Sequence, residues 1–129
     1  MSEATNEKVC IAVLPIERMS KVVRLATSAV ASRTGLNLAQ ADDINTAIDE
    51  LFKMSVSSGG VDRSFCINYD IRPDRLEITA EGVDTSFCDE TSKVNRYRRF
   101  IIDKVADRFE ESLNPDGGYD VLLVKYVTQ

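Results

Sequence analysis

Few of the residue types that carry catalysis or bind metals occur in this chain. Its 129 residues include no histidine, which excludes Ser-His-Asp and Cys-His catalysis. The three cysteines, Cys10, Cys66 and Cys88, are odd in number and widely spaced, so a zinc site would lack its usual ligands. We expect Cys10 and Cys66 to be buried, reduced thiols, whereas Cys88 lies in a polar stretch. The sequence therefore predicts no metal site.

Basic side chains cluster at two places in a chain whose formal net charge is −5. The first group lies along the first predicted helix and comprises Arg18, Lys21, Arg24 and Arg33. The second group lies at the start of the third predicted helix and comprises Lys93, Arg96, Arg98 and Arg99. Positive charge at a helix N-terminus opposes the helix macrodipole, so the second group suggests another purpose, such as anion binding. Either group could also be a solvated helix face.

The composition is typical of one globular domain. Hydrophobic residues make up 43% of the chain and charged residues 29%, and the length is that of a single domain. The negative net charge argues against a general binder of nucleic acid phosphates. No apolar run reaches the ~20 residues of a membrane span, and the polar N-terminus lacks a signal-peptide pattern. We therefore expect a cytoplasmic domain over 1–129, with a flexible tail over 1–8, that binds no membrane and no nucleic acid directly.

The apolar pattern first predicts a strand and a helix. The β-branched run 9–14, which stops at Pro15, indicates a strand that is apolar on both faces and so favours a covered position in a sheet. Residues 17–34 have helical periodicity, with Gly35 as a plausible C-terminal cap. The apolar stripe of this helix is expected to contain Met19, Val22, Val23, Ala26, Ala29 and Val30.

A second helix is predicted directly after the first. Asn37 and Gln40 form an Asn-x-x-Gln variant of the capping box at its start, and the helix should end before residue 57. Its apolar face is expected to contain Ile44, Ala47, Ile48, Leu51 and Phe52.

Strands dominate the second half of the chain. Residues 64–71 and 76–80 predict an antiparallel hairpin around the turn 72–75, and 81–93 is predicted to be a long loop. A third helix and a final strand over 121–127 follow, while 108–113 could be a helix tail or a strand. This order predicts an α+β fold, a two-layer sandwich with a mostly antiparallel (mixed) sheet and helices on one face.

Three stretches resemble the anti-sigma-factor serine kinases of the GHKL (histidine kinase-like) ATPase superfamily. They are the arginine-bearing segment 22–35, the acidic-aliphatic-alanine-acidic pattern of 42–50, and the last strand 118–125, which ends in lysine. The resemblance covers nearly the whole chain. It implies a Bergerat-type ATPase domain that transfers a phosphoryl group from ATP to a serine of an antagonist protein.

The resemblance also implies where the parts of a nucleotide site would lie. The family's helical glutamate, which polarises the attacking hydroxyl, matches Glu50. Its Mg²⁺-binding asparagine, four residues later, matches Met54, whose thioether is a poor ligand for a hard cation. The adenine-binding aspartate matches Ala80, which has no acceptor, and only Gly82 retains a glycine of the motif that follows.

The family's glycine-rich phosphate loop matches Arg96 and Arg98, whose side chains should obstruct a tight loop around phosphates. Three parts of the site are therefore altered together. Glu50 would then be a vestigial general base in a degenerate nucleotide site. We expect no cofactor, and Mg-ATP only if the pocket still functions.

Three functions remain open at this stage. The favoured one is an anti-sigma-factor-like regulatory protein that binds a sigma factor or its antagonist, an anti-anti-sigma protein, through Arg18, Lys21 and Arg24. The second is an ATP-dependent serine-protein kinase with a remodelled site, which Glu50 and Gly82 support. The third is an α+β domain with a small-ligand pocket or a homodimer interface.

Overall fold

The computed structural model describes residues 7–57, 64–83 and 93–127. Within these ranges the elements are β1 (Glu7–Val13), a short 3-10 helix (Glu17–Met19), α1 (Ser20–Ala31), α2 (Leu38–Ser57), β2 (Phe65–Ile71), β3 (Arg75–Val83), α3 (Lys93–Val105), β4 (Arg108–Leu113) and β5 (Tyr119–Tyr126).

Some of the predicted boundaries change or lie outside these ranges. Glu7 and Lys8 belong to β1 and not to the tail predicted over 1–8. The predicted loop shortens because β3 extends to Val83. Residues 84–92, including Cys88, lie outside the described residues.

The strands form one five-stranded sheet in the order β1-β2-β3-β5-β4. All four strand pairings are antiparallel. Alternate residues of β2 and β3 are buried, which shows that the helices cover one face of the sheet. The predicted two-layer α+β fold is confirmed. Residues 108–113, which periodicity left open, form a strand because they pair with β5 along their whole length.

β1 is an edge strand, so the prediction of a covered strand is wrong. It pairs with β2 on one side only, and only its helix-facing residues Ile11 and Val13 are partly buried. Cys10 faces the open side and is exposed, and Cys66 on β2 is intermediate, so neither thiol is fully buried. Partial burial nevertheless raises the pKa of the Cys66 thiol, and the neighbouring Glu81 carboxylate raises it further. Cys66 is therefore a poor nucleophile at neutral pH.

The buried face of α1 overlaps only in part with its predicted apolar stripe, of which Val23 and Val30 are buried as expected. The buried residues are Val23, Thr27, Val30 and Ala31, whereas Val22 is 48% exposed. Thr27 can take a core position because its hydroxyl shares a 2.6 Å hydrogen bond with the Tyr69 hydroxyl from the sheet, which satisfies two buried polar groups at once.

The start of α2 confirms the predicted capping box. The Asn37 side chain accepts a hydrogen bond from the Gln40 amide at 2.8 Å, and the Gln40 side chain accepts one from the Asn37 amide at 3.0 Å. The predicted apolar face of α2 is buried in full. α1, by contrast, ends at Ala31 with Ser32 as its C-cap, and Gly35 does not have the positive φ of a glycine cap. Gly35 instead allows close packing, since a Cβ there would lie 3.1 Å from Val127 Cγ1.

The Thr27–Tyr69 hydrogen bond leads to a testable pH dependence. Burial raises the pKa of Tyr69, partly opposed by the hydrogen bond with Thr27. Below about pH 10 the Tyr69 phenol is protonated in both the folded and the unfolded state, so it does not make stability depend on pH. As the pH rises from there through the folded-state pKa, the unfolded state loses this proton first and the free energy of unfolding falls. We expect Tyr69→Phe to cost about 1–3 kcal/mol at neutral pH, because the Thr27 hydroxyl loses its partner. The difference in the free energy of unfolding between this variant and wild type should become smaller above about pH 10.

Urea unfolding at neutral and alkaline pH measures this gap. Tyr126→Phe, at a surface tyrosine, is the matched control and should show no gap at neutral pH. A gap between wild type and Tyr69→Phe that stays constant with pH would contradict the assignment.

Candidate functional site

The candidate site lies where α3 packs against α2. Glu50 is buried on α2, and Met54 follows one helical turn later on the same face. Arg98 from the second turn of α3 places its Nε 3.8 Å from Glu50 Oε1, and Lys53 Nζ lies 3.5 Å from Glu50 Oε2. The resemblance assigns Glu50 and Arg98 to one nucleotide site. The structure joins them in a direct ion pair, which the sequence did not predict. The Glu50 carboxylate faces two cations.

The ion pairs around Glu50 extend across all three helices. Lys53 Nζ lies 3.1 Å from Asp49 Oδ2, and Arg24 of α1 places Nη2 3.8 Å from Asp49 Oδ1. The hydrogen bond to Asp49 is the largest cause that raises the pKa of Lys53, with desolvation opposing it. Arg24, Lys53 and Arg98 thus surround two adjacent carboxylates, those of Asp49 and Glu50. These ion pairs join side chains of all three helices, although each exposed pair of this kind contributes little to stability.

Met54 and Ala80 both lie inside the hydrophobic core. Met54 is 1% exposed and Ala80 is 0% exposed, and both belong to the same buried cluster. Ala80 pairs with Ile67 on one side and Val121 on the other. Met54 offers no oxygen to Mg²⁺, and Ala80 offers no acceptor to an adenine amino group. These residues do not fit a magnesium nucleotide bound in the manner that the resemblance implies.

Gly82 has a structural role in the sheet. Its φ is +69°, a left-handed conformation that favours glycine, and it lies where the register of β3 against β5 shifts between Ala80 and Val83. Its amide donates to Asp120 Oδ1 at 3.1 Å. A Cβ on Gly118 opposite would lie only 2.8 Å from the Val83 carbonyl oxygen. Gly82 therefore permits the irregularity in β3, and Gly118 permits the close approach of the chain before β5 to β3.

Arg96 and Arg98 belong to α3 itself, whereas the resemblance implies a phosphate loop at these positions. The side chains of Arg96 and Arg98 also point in different directions. Arg98 turns towards Glu50, whereas Arg96 is exposed on another side of the helix. The structure thus does not gather the two arginines into one anion site.

A groove of about 300 Å³ crosses α2 beside this network. Its lining combines residues of the 3-10 helix, α1, α2 and α3, namely Glu17, Ser20, Phe52, Lys53, Val56 and Arg98. Phe52 and Val56 give it an apolar floor, and charges of both signs stand at its rim. The two cations of the rim, Lys53 and Arg98, are already paired with Asp49 and Glu50, so the groove suits a polypeptide segment better than a polyphosphate.

α1 presents the predicted basic residues to solvent. Arg18, Lys21 and Arg24 are all exposed. Arg33, which was expected to continue the row, instead forms an ion pair with Glu7 of β1 at 2.6 Å. Its position after the end of α1 turns it towards the edge of the sheet, away from the other three.

Two apolar side chains, which the sequence analysis did not assign to a site, lie among these basic residues. Val22 and Leu25 are 48% and 60% exposed. The signal was present in the sequence, because the apolar residues of α1 span more of the helix than one buried face can cover. We refer to Arg18, Lys21, Val22, Arg24 and Leu25 as the α1 surface.

Lys125, the lysine at the end of the predicted last strand 118–125, has a structural role. It is buried, and its Nζ donates to the carbonyl oxygen of Val105 at the end of α3 at 2.7 Å. Asp43 of α2 lies 3.2 Å away and Asp107 3.6 Å away. Lys125 thus binds the C-terminus of α3, where a cation is favourable, and anchors α2 to the same point.

The chain is similar in sequence to known serine-protein kinases. It matches the serine-protein kinase RsbW of Listeria innocua with 27% identity, in an alignment that covers 82% of this chain and 78% of the relative. RsbW of Listeria monocytogenes matches with the same identity and coverage. No family model matches the chain. The similarity supports a distant relation to these kinases at the level of the family, and the α+β fold is consistent with it.

Two properties of the described ranges concern metal ions and membranes. Among residues 7–57, 64–83 and 93–127, no three His, Cys, Asp or Glu side chains come together in a way that could hold a metal ion. None of the helices in this part of the chain is long and apolar enough to cross a membrane.

Proposed function

We propose that this protein is an anti-sigma-factor-like regulator that acts by binding a protein partner, a sigma factor or its antagonist, and not by phosphoryl transfer. The observation that carries the proposal is the α1 surface. Val22 and Leu25 are exposed among basic side chains, and exposed apolar residues rimmed by charge are typical of protein interaction sites.

The charges of this surface indicate the chemistry of the partner. Arg18, Lys21 and Arg24 are positive in a chain of net charge −5. An acidic, partly apolar helix would complement them, with the charges setting partner choice and the association rate and the burial of the apolar pair adding to the affinity. Such partners act in the cytoplasm, and the proposal places this protein there.

The residues of the candidate site support the part of the proposal that excludes phosphoryl transfer. Met54 and Ala80 fill core positions where the resemblance requires a metal ligand and an adenine acceptor. Glu50 faces Arg98 and Lys53, which engage both of its oxygens. We therefore propose that no nucleotide binds here and that no cofactor is required.

The second candidate is an ATP-dependent serine-protein kinase. Two observations favour it: the relatives are serine-protein kinases by name, and Glu50 stands where the resemblance places the general base. This candidate requires α3 to move away from α2, so that the Glu50–Arg98 contact opens and phosphates can enter.

Thermal unfolding with Mg-ATP or Mg-ADP distinguishes the two candidates. A nucleotide at ~100 times its dissociation constant would stabilise the fold by about 2.7 kcal/mol, which corresponds to a rise in Tm of very roughly 5–10 °C for a domain of this size. We expect neither nucleotide to change the Tm. Inorganic phosphate with magnesium is the control for general anion effects. A rise specific to either nucleotide would overturn the binding-only proposal in favour of the kinase.

A further inference from the structure

α3 carries a second exposed face that the proposed function does not use. Tyr97 and Phe100 are 65% and 56% exposed, on the side of the helix opposite the buried Asn95 and Ile102. Tyrosine and phenylalanine are costly to leave in water and are enriched at protein interfaces. A pair of them at the centre of one helix face therefore marks a candidate contact.

Basic residues frame this aromatic pair at both ends. Lys93 and Lys104 are exposed one turn before Tyr97 and one turn after Phe100, and Lys104 Nζ lies 5.0 Å from the centre of the Phe100 ring. Arg96 is exposed along one side. Within the described ranges, no acidic side chain forms an ion pair with any of these three cations. The nearby Asp103 pairs with Arg99 instead, at 3.6 Å.

The spacing of these residues fits a helix as the partner. Lys93, Tyr97, Phe100 and Lys104 follow one another at intervals of four, three and four residues. This is the repeat by which one helix packs lengthwise against another at a small crossing angle. Thirteen residues of α3 give a seam of about 20 Å.

We propose that this face of α3 is a docking site for an acidic amphipathic helix of a partner protein. Apolar side chains of that helix would cover Tyr97 and Phe100, while its carboxylates would pair with Lys93, Arg96 and Lys104. Aromatic anchors surrounded by charge are the usual arrangement of an energetic centre and its rim.

Other anionic occupants fit this face less well. A net charge of −5 repels nucleic acids and anionic membranes at long range, and three framing cations on a convex helix provide neither a groove for a phosphate backbone nor a broad basic surface. A single acidic helix needs only a few matched charges, which this face supplies.

The site is separate from the α1 surface. α1 and α3 each pack extensively against α2, so α2 lies between them in the helical layer. A partner on α3 leaves Val22 and Leu25 free. The inference therefore extends the proposed function to a second contact and does not depend on it.

A peptide of about three heptads, with Leu at positions a and d and Glu at positions e and g, provides a defined probe. Repulsion between the e and g glutamates of two copies prevents the peptide from pairing with itself, and a single helix of this length is only marginally stable in water. A fluorescein-labelled version would be titrated with the full chain, with anisotropy reporting binding and far-ultraviolet circular dichroism reporting helix formation. The same peptide with Lys at e and g is the matched control for charge, and phosphatidylglycerol vesicles and an oligothymidine test the other occupants.

We expect the glutamate peptide to bind saturably and to become helical, and the lysine peptide not to bind. Tyr97→Ala combined with Phe100→Ala should weaken binding at the α3 face by about tenfold or more. Any binding of the same peptide to the α1 surface is a second site, which Leu25→Ala removes while leaving the α3 site unchanged. Both sets of changes are at exposed positions and should preserve the fold, which thermal unfolding checks.

Three results would each overturn the inference: no saturable binding of the glutamate peptide, equal binding to wild type and the α3 double variant, or tighter binding to vesicles or oligothymidine. Loss of peptide binding on Leu25→Ala, with no effect of the α3 variant, would move the contact to the α1 surface. That outcome rejects the α3 site while leaving the proposed function in place.

Discussion

Ala80→Asp is expected to abolish or nearly abolish the folded state. Ala80 is fully buried in the middle of the sheet, between Ile67 and Val121, so an aspartate there would place a carboxyl group among aliphatic side chains with no partner. Such a burial costs about 4 kcal/mol or more, against a total stability of about 5–15 kcal/mol for an ordinary domain. Circular dichroism during urea or thermal unfolding measures the loss.

The control for this variant is Thr79→Asp, one residue earlier on the same strand. Thr79 faces the open side of the sheet, so the same charge should remain hydrated and cost about 1 kcal/mol or less. The resemblance assigns an aspartate to position 80 for adenine binding. An Ala80→Asp protein that stays folded and gains affinity for ATP would show that a nucleotide cavity exists at this position, contrary to the packing observed.

The local elements could be read from the sequence because short-range patterns determine them. The capping box of Asn37 and Gln40 involves residues three apart, and it forms as predicted. The alternation of β2 likewise specifies which of its faces is buried. In both cases the residues that determine the local structure lie within a few positions of one another in the chain.

The position of an element in the fold was harder to predict, as β1 and α1 show. A β-branched run specifies a strand but not the number of its neighbours, and β1 lies at an edge. On α1, Val22 and Val23 are equivalent as apolar residues. Thr27 lies on the buried face with Val23, and its hydrogen bond with Tyr69, which joins residues 42 apart, is a contact that no local pattern contains.

The candidate site depends on contacts of the same long-range kind. Glu50 and Arg98 are 48 residues apart in the chain, and no spacing rule links them. Resemblance pointed to both positions separately, as a base and as a phosphate loop. The ion pair between them became visible only when α3 was placed against α2, and it changes the interpretation of both residues.

The largest effect on function is expected from charge and polarity reversal on the α1 surface. Lys21→Glu combined with Leu25→Asp would replace a cation and an exposed apolar side chain by two negative charges. Against an acidic partner this removes apolar burial and adds like-charge repulsion, so affinity should fall by about 100-fold or more. Both positions are exposed, and the free energy of unfolding should change by less than about 1 kcal/mol.

The measurement is titration calorimetry of wild type and variant with each recombinant sigma factor and anti-anti-sigma protein from the same genome. Lys8→Glu and Leu38→Asp, at an exposed lysine of β1 and an exposed leucine of α2, are the matched controls and should bind like wild type. Because the attraction is partly ionic, wild-type affinity should also fall as salt increases. If a partner bound the wild type and the α1 variant equally well, α1 could not be the contact surface. The regulatory proposal would then have to move to another face of the helical layer.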